Sequence, residues 1–169
     1  MICRRLADTD KTAAVIGLGG LGCNVAVHLA GAGFKKIYLF DFDTVSEGNL
    51  NRQFFYKKED IGKSKTDRAK AFLSAYAPET EFVAVEGKIE NKADLREAEN
   101  CDIIFSALDN CEARKVTEEF CQKLRIPLSV GGIDGFYGKA YLYLPDATPT
   151  PEKAGMLDGK RAERNISAA

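Results

Sequence analysis

The stretch Thr12-Ala13-Ala14-Val15-Ile16-Gly17-Leu18-Gly19-Gly20-Leu21-Gly22-Cys23 decides the fold. Its first five residues form an apolar run of strand length, and a G-x-G-x-x-G pattern follows at once. Residues 21–32 then carry Val25, Leu29 and Ala32 at i, i+4 and i+7, the spacing of one helix face. Gly17 permits a tight turn, Gly19 and Gly20 let backbone N–H groups approach a phosphate, and Gly22 lets the helix pack closely on the sheet. The helix N-terminus adds free N–H groups and a positive dipole end. Asp41 closes the next strand, about 20 residues on, where a carboxylate can accept hydrogen bonds from ribose hydroxyls. Together these features predict a nucleotide site, without separating NAD, FAD and ATP.

Working outward, the apolar and turn signals alternate. Strands are expected over 12–16, 36–40, 81–87, 102–107, 127–130 and 138–144. Helices are expected over 21–32, 63–77, 92–100 and 111–124, with Asn110 as the cap of the last. Strands alternating with helices predict an α/β, Rossmann-like, doubly wound sheet with helices on both faces. The sheet is mostly parallel, with an antiparallel last strand. Residues 1–144 are read as the nucleotide domain. Pro145, Pro149 and Pro151 mark a linker, so 145–169 is read as a Pro-rich linker and a polar tail whose C-terminal part is cut short.

Composition narrows the function. The 169 residues are one domain's worth, too few for a nucleotide domain plus the substrate domain of a dehydrogenase. Lys and Arg number 24 and Asp and Glu 25, a balance that argues against a nucleic-acid or membrane-surface binder. No charged residue occurs from 13 to 34, but six glycines in that run fit strand, turn and helix better than a membrane span. The N-terminus has no basic region leading to a cleavage site, so no secretory signal is read. The five cysteines Cys3, Cys23, Cys101, Cys111 and Cys121 are odd in number and lack C-x-x-C spacing. They read as buried thiols of a reduced, cytoplasmic protein, with no zinc site.

The segment after Asp41 favours ATP. Asp41-Phe42-Asp43-Thr44-Val45-Ser46-Glu47-Gly48-Asn49-Leu50-Asn51-Arg52-Gln53 is a polar insertion in which Asn49, Arg52 and Gln53 share one helical turn. Lys65 follows near the start of the next helix. From Arg52 to Lys70 there are seven basic and three acidic side chains, a local net charge of +4. Arginine forks and mobile lysine charges suit a triphosphate. Leu108-Asp109-Asn110 ends the fourth strand, on the edge where open α/β sheets bind ligands. Asp109 can hold Mg²⁺ against phosphate oxygens, or it can serve with Asn110 as an ordinary helix cap.

These pieces resemble the ThiF/MoeB/HesA family, the bacterial relatives of ubiquitin-activating enzymes. The likeness is carried by Ile16 to Cys23, Asp41 to Ser46, Asn49 to Gln53, Gly62-Lys63-Ser64-Lys65 and Leu108 to Asn110, in the family's order and spacing. The resemblance implies an ATP- and Mg²⁺-dependent adenylyltransferase. It would activate the C-terminal glycine of a small ubiquitin-like sulfur carrier ending in Gly-Gly, releasing pyrophosphate. It implies ribose binding by Asp41, with Asp43 beside it. Arg52 and Lys65 would neutralise phosphate, supported by Asn49 and Gln53, and Asp109 would hold the metal. It also implies a homodimer in which an N-terminal arginine, Arg4 or Arg5 here, reaches the partner's ATP. The chain departs from the family in lacking the paired C-x-x-C motifs and in its length. The alternative from another class is a non-catalytic nucleotide-binding or carrier-docking module. His28 is read as structural, and Cys23 as a small packing residue. Gly131 to Gly135 is read either as room for a Gly-Gly tail or as an ordinary turn. The Tyr141/Tyr143 face is read as sheet packing.

Overall fold

The computed structural model describes residues 10–134 and 137–156. Cys3, Arg4, Arg5, Gly135 and the tail at 157–169 lie outside the described residues. Six strands form one sheet: β1 (Thr12–Ile16), β2 (Lys36–Asp41), β3 (Glu81–Glu86), β4 (Ile103–Ser106), β5 (Leu128–Asp134) and β6 (Tyr137–Tyr143). Their order is β3-β2-β1-β4-β5-β6, and every pair is parallel except β5–β6. The order reverses between β1 and β4, and a ligand crevice forms outside the strand ends at such a switch.

Alternation along each strand builds two cores. Ala13 and Val15 point to one face, with Ile37 and Leu39, and are covered by α1 (Gly20–Ala32) and α2 (Lys65–Tyr76). Ala14 and Ile16 point to the other, with Ile104, Leu128 and Val130. That face is covered by α3 (Cys111–Leu124) and the helical segment Lys92–Ala98. Tyr141 and Tyr143 pack there too, so the tyrosine face of β6 is sheet packing. α1 meets the sheet through Cys23, Ala26 and Ala30, small side chains that allow a close approach. Gly33 ends it in the left-handed region at φ +88°.

The structure moves several expected boundaries. The segment at 92–98 is a 3₁₀ helix, started by Asn91 accepting from Ala93 N–H while Asp94 accepts from Asn91 N–H. α2 starts at Lys65, because Ser64 pairs with Thr44 in an isolated bridge and Lys63 is bound to Val45. β5 runs through Gly131 and Gly132 to Asp134 and does not turn there, because β6 pairs with it antiparallel.

Residues 145–156 lie against α3 and β6. Tyr141 O–H donates to Pro149 O at 2.8 Å, and Glu118 accepts from Glu152 N–H at 3.1 Å. Arg125 pairs with Asp146, and Pro151 is buried. Among the described residues no helix is long and apolar enough to cross a membrane.

Candidate active site

The glycine turn lies at the C-terminal end of β1, in the switch crevice. Gly17 has φ +92°, which a side chain rarely tolerates. A Cβ there would sit 2.9 Å from Ala107 O, so the turn is packed against the chain leaving β4. Gly22 has no room at all: its Cβ would lie 1.8 Å from Gly17 O. Gly19 is the cap of α1, and Gly20 its first residue. Their open side faces the polar insertion. The Arg52 stem lies 3.4 Å from where a Gly20 Cβ would be, and Gln53 Nε2 3.8 Å from that of Gly19.

Asp41 binds the turn directly. One carboxylate oxygen accepts from Leu18 N–H at 2.7 Å, and the other from Asp43 N–H at 2.9 Å. Burial pushes the Asp41 carboxyl above the usual carboxylate range, opposed by these two N–H bonds and by the nearby Lys65 ammonium. Lys65 is only 5% exposed, and its Nζ lies 2.8 Å from Asp43 Oδ2. The placement is fixed by backbone: Lys65 N–H donates to Asp43 O at 3.1 Å, and Gly62 N–H to Val45 O at 2.8 Å. Asp41, Asp43 and Lys65 thus form one network beside the turn.

Gln53 is 3% exposed and its Oε1 has no hydrogen-bond partner, an orphaned polar atom next to the glycine turn. A buried acceptor of this kind is costly without a ligand or water to satisfy it. Arg52 is exposed, with Nη1 donating to Gly48 O at 2.8 Å and Asn51 Oδ1 at 2.9 Å. Asn49 Oδ1 is taken by Ser46 N–H at 3.0 Å, within the insertion itself. Gln53 N–H donates to Asn49 O at 2.9 Å, the helical turn expected there.

Asp109 is exposed in the turn after β4, two residues past the Ala107 carbonyl that touches Gly17. Asn110 caps α3, its Oδ1 accepting from Glu112 and Ala113 N–H at 2.8 and 3.2 Å. Among the described residues no group of three or more His, Cys, Asp or Glu is placed around a common point. Mg²⁺ does not need one, since it takes one or two carboxylates plus phosphate oxygens. The glycine cradle and the buried ammonium fit a polyphosphate, the exposed Asp109 carboxylate fits a metal bound to it, and the orphaned Gln53 oxygen fits a hydroxyl donor.

Cys23 is buried and donates to Leu18 O, and burial pushes its thiol up to about 12. His28 is exposed on α1, its Nδ1 2.6 Å from Asn24 O. Two residues of the crevice had no sequence signal. Tyr56 O–H donates to Leu18 O at 3.0 Å, and Arg114 Nε donates to Leu108 O at 2.6 Å. Both act on backbone carbonyls, Tyr56 from a distant segment and Arg114 from six residues away, and a carbonyl acceptor leaves no pattern in the chain.

The sequence model of the ThiF family matches residues 4–166. The chain belongs to the ThiF family. This ThiF-family chain is 29% identical over 160 residues to the sulfur carrier protein ThiS adenylyltransferase of Escherichia coli (strain K12), covering 95% of this chain and 64% of that protein. It is 34% identical over 135 residues to the SUMO-activating enzyme subunit uba-2 of Caenorhabditis elegans, covering 79% and 23%. It is 35% identical over 151 residues to the NEDD8-activating enzyme E1 catalytic subunit of Dictyostelium discoideum, covering 82% and 34%. The chain thus spans less than two thirds of the length of each of these relatives. Among solved structures, E. coli MccB with MccA superposes with a TM-score of 0.80 at 27% identity, over 85% of this chain and 44% of that one. E. coli MccB with ATP gives 0.75 at 26%, over 84% and 43%.

Proposed function

We propose that this ThiF-family chain is an adenylyltransferase that transfers AMP from ATP to the C-terminal glycine carboxylate of a small ubiquitin-like sulfur carrier. One observation carries the reading: a nearly buried lysine, held by Asp43, stands beside a glycine turn that is itself tied to Asp41. The turn offers backbone N–H groups to phosphate, Asp41 offers a carboxylate to the ribose, and Lys65 and Arg52 offer positive charge. Asn49, Gln53 and Asn110 would support the nucleotide. Asp109 would hold Mg²⁺, which neutralises phosphate charge when bound.

The chemistry asks little of the protein beyond placement. The carrier's carboxylate oxygen forms a bond to the α-phosphorus, the bond from that phosphorus to the β-phosphate oxygen breaks, and pyrophosphate leaves with the electron pair. The nucleophile is already ionised, so no protein base is required. Lys65 and Arg52 stabilise the charge that develops on the leaving oxygens, and the glycine turn fixes the α-phosphate for in-line attack.

The sulfur-carrier class is favoured because the ThiS adenylyltransferase aligns along 95% of this chain. A homodimer and a cytoplasmic setting complete the reading. The test is ATP–pyrophosphate exchange driven by carriers ending in Gly-Gly. Exchange with such a carrier, and none with the same carrier lacking its last glycine, is the expected result. ATP binding without exchange for any carrier would instead support a non-catalytic nucleotide-binding module.

A further inference from the structure

Arg114 is the fourth residue of α3 and is half-buried. Its guanidinium reaches three carbonyls from three distant stretches. Nε donates to Leu108 O at 2.6 Å, Nη2 to Gly131 O at 3.0 Å and Nη1 to Met156 O at 3.5 Å. The first leads out of β4, the second lies in β5, and the third lies in the segment that follows β6. Space is kept for the group: a Cβ on Gly132 would come within 3.0 Å of Nη2. One turn along α3, Glu118 is 2% exposed and accepts Glu152 N–H with both oxygens, each at 3.1 Å. The 150–156 segment is therefore pinned to one stripe of α3 at two points.

The carbonyl with the shortest bond is that of Leu108, immediately before Asp109. A charged donor at 2.6 Å makes a strong, directional contact. On its other side the same backbone abuts the glycine turn, through Ala107 O and Leu108 N at 2.9 and 3.5 Å from a Gly17 Cβ. The Asp109 turn is thus clamped between Gly17 and Arg114. The Asp109 side chain is exposed, so its position comes from its backbone. We infer that Arg114 is a positioning residue that presents Asp109 to a nucleotide-bound divalent cation, and that the 150–156 segment braces it through the Met156 carbonyl.

This inference rests on the proposed ATP site and its metal. A lysine at 114 can satisfy only part of the fork of contacts, since it lacks the planar array of donors. The test uses the full chain and calorimetry of ATP binding, first in excess EDTA and then across a Mg²⁺ titration. For Arg114→Lys, metal-free ATP affinity is expected within about twofold of wild type, while the Mg²⁺ concentration for half-maximal tightening rises at least about tenfold. Gly132→Ala, which crowds the guanidinium, is expected to shift the Mg²⁺ dependence the same way, and it makes the same test if the lysine variant does not fold. Unchanged Mg²⁺ dependence in the folded variants overturns the inference. So does an equal loss of metal-free affinity, which marks general damage. A wild-type chain that binds ATP without any Mg²⁺ effect overturns it while sparing the nucleotide site, and a wild-type chain that binds no ATP overturns the proposed function itself.

Discussion

Gly22→Ala is expected to lower the melting temperature by about 6–12 °C and to abolish ATP binding. The added Cβ would sit 1.8 Å from Gly17 O and 2.8 Å from Gly17 C, against an ordinary contact of at least 3.4 Å. The carbonyl would have to retreat by about 1.6 Å. It has nowhere to go. Gly17 N–H donates to Phe40 O at 2.8 Å, and its Cα faces Ala107 O. Overpacking of this kind costs about 1–3 kcal/mol, and a backbone obstacle places it at the upper end. At about 2–4 °C per kcal/mol for a chain of this size, the melting shift follows. Gly48→Ala is the control, with nothing within 4 Å of its Cβ. It is expected within about 0.5 kcal/mol of wild type. Gly19→Ala meets only Gln53 Nε2 at 3.8 Å. It should fold normally yet bind ATP weakly, because its methyl would occupy the space proposed for phosphate at the turn. Thermal melts and calorimetry of ATP binding read all three. A Gly22→Ala protein that melts within about 2 °C of wild type and binds ATP normally would refute the reasoning.

Three further outcomes are expected. Lys65→Met should reduce ATP–pyrophosphate exchange by about 10²–10³-fold with a small change in melting temperature, since the Asp43 side chain is 48% exposed and can hydrate; near-normal exchange would remove Lys65 from the site. Burial pushes the Glu118 carboxyl above the usual range, against the N–H of Glu152. The native carboxyl therefore holds its proton more tightly than the unfolded chain does. Its contribution to stability is full below the unfolded pKa and is lost as pH rises through the folded one. Denaturant unfolding of Glu118→Gln from pH 4 to 7 should show a smaller fall than wild type, and an equal fall would contradict the assignment. Among the described cysteines, Cys111 is exposed, whereas burial pushes Cys23, Cys101 and Cys121 up to about 12. A maleimide pulse followed by peptide mass analysis should label Cys111 first; earlier labelling of Cys121 would count against the packing described.

Local signals carried much of the fold. Asn110 followed by an apolar period marks α3 at the residues where it occurs, because the cap and the core face agree. The run Thr12 to Gly22 marks the turn, because Gly17 and Gly22 have no room for a side chain. β5 is longer than its local sequence suggests, because two glycines look like a turn until a partner strand is known. The 3₁₀ segment at Lys92–Ala98 has a helix's composition but is set by a tight capping turn at Asn91. In the candidate site, Asp41, Asp43 and Lys65 were legible as charged groups in register, and the structure brings them into one network. Arg114 was not, because its partners are carbonyls, and every residue has a carbonyl.

The Lys65–Asp43 pair gives the proposed site a tethered rival to its ligand. An attached carboxylate competes at an effective concentration of about millimolar or more. A solitary sulfate or inorganic phosphate, holding on at one point, gains little by displacing it. On the proposed reading, a nucleotide triphosphate would engage the turn, Asp41 and Arg52 at the same moment and win by the number of its attachments. The Lys65 charge is in this sense already neutralised, and on that reading the site would select anions by length.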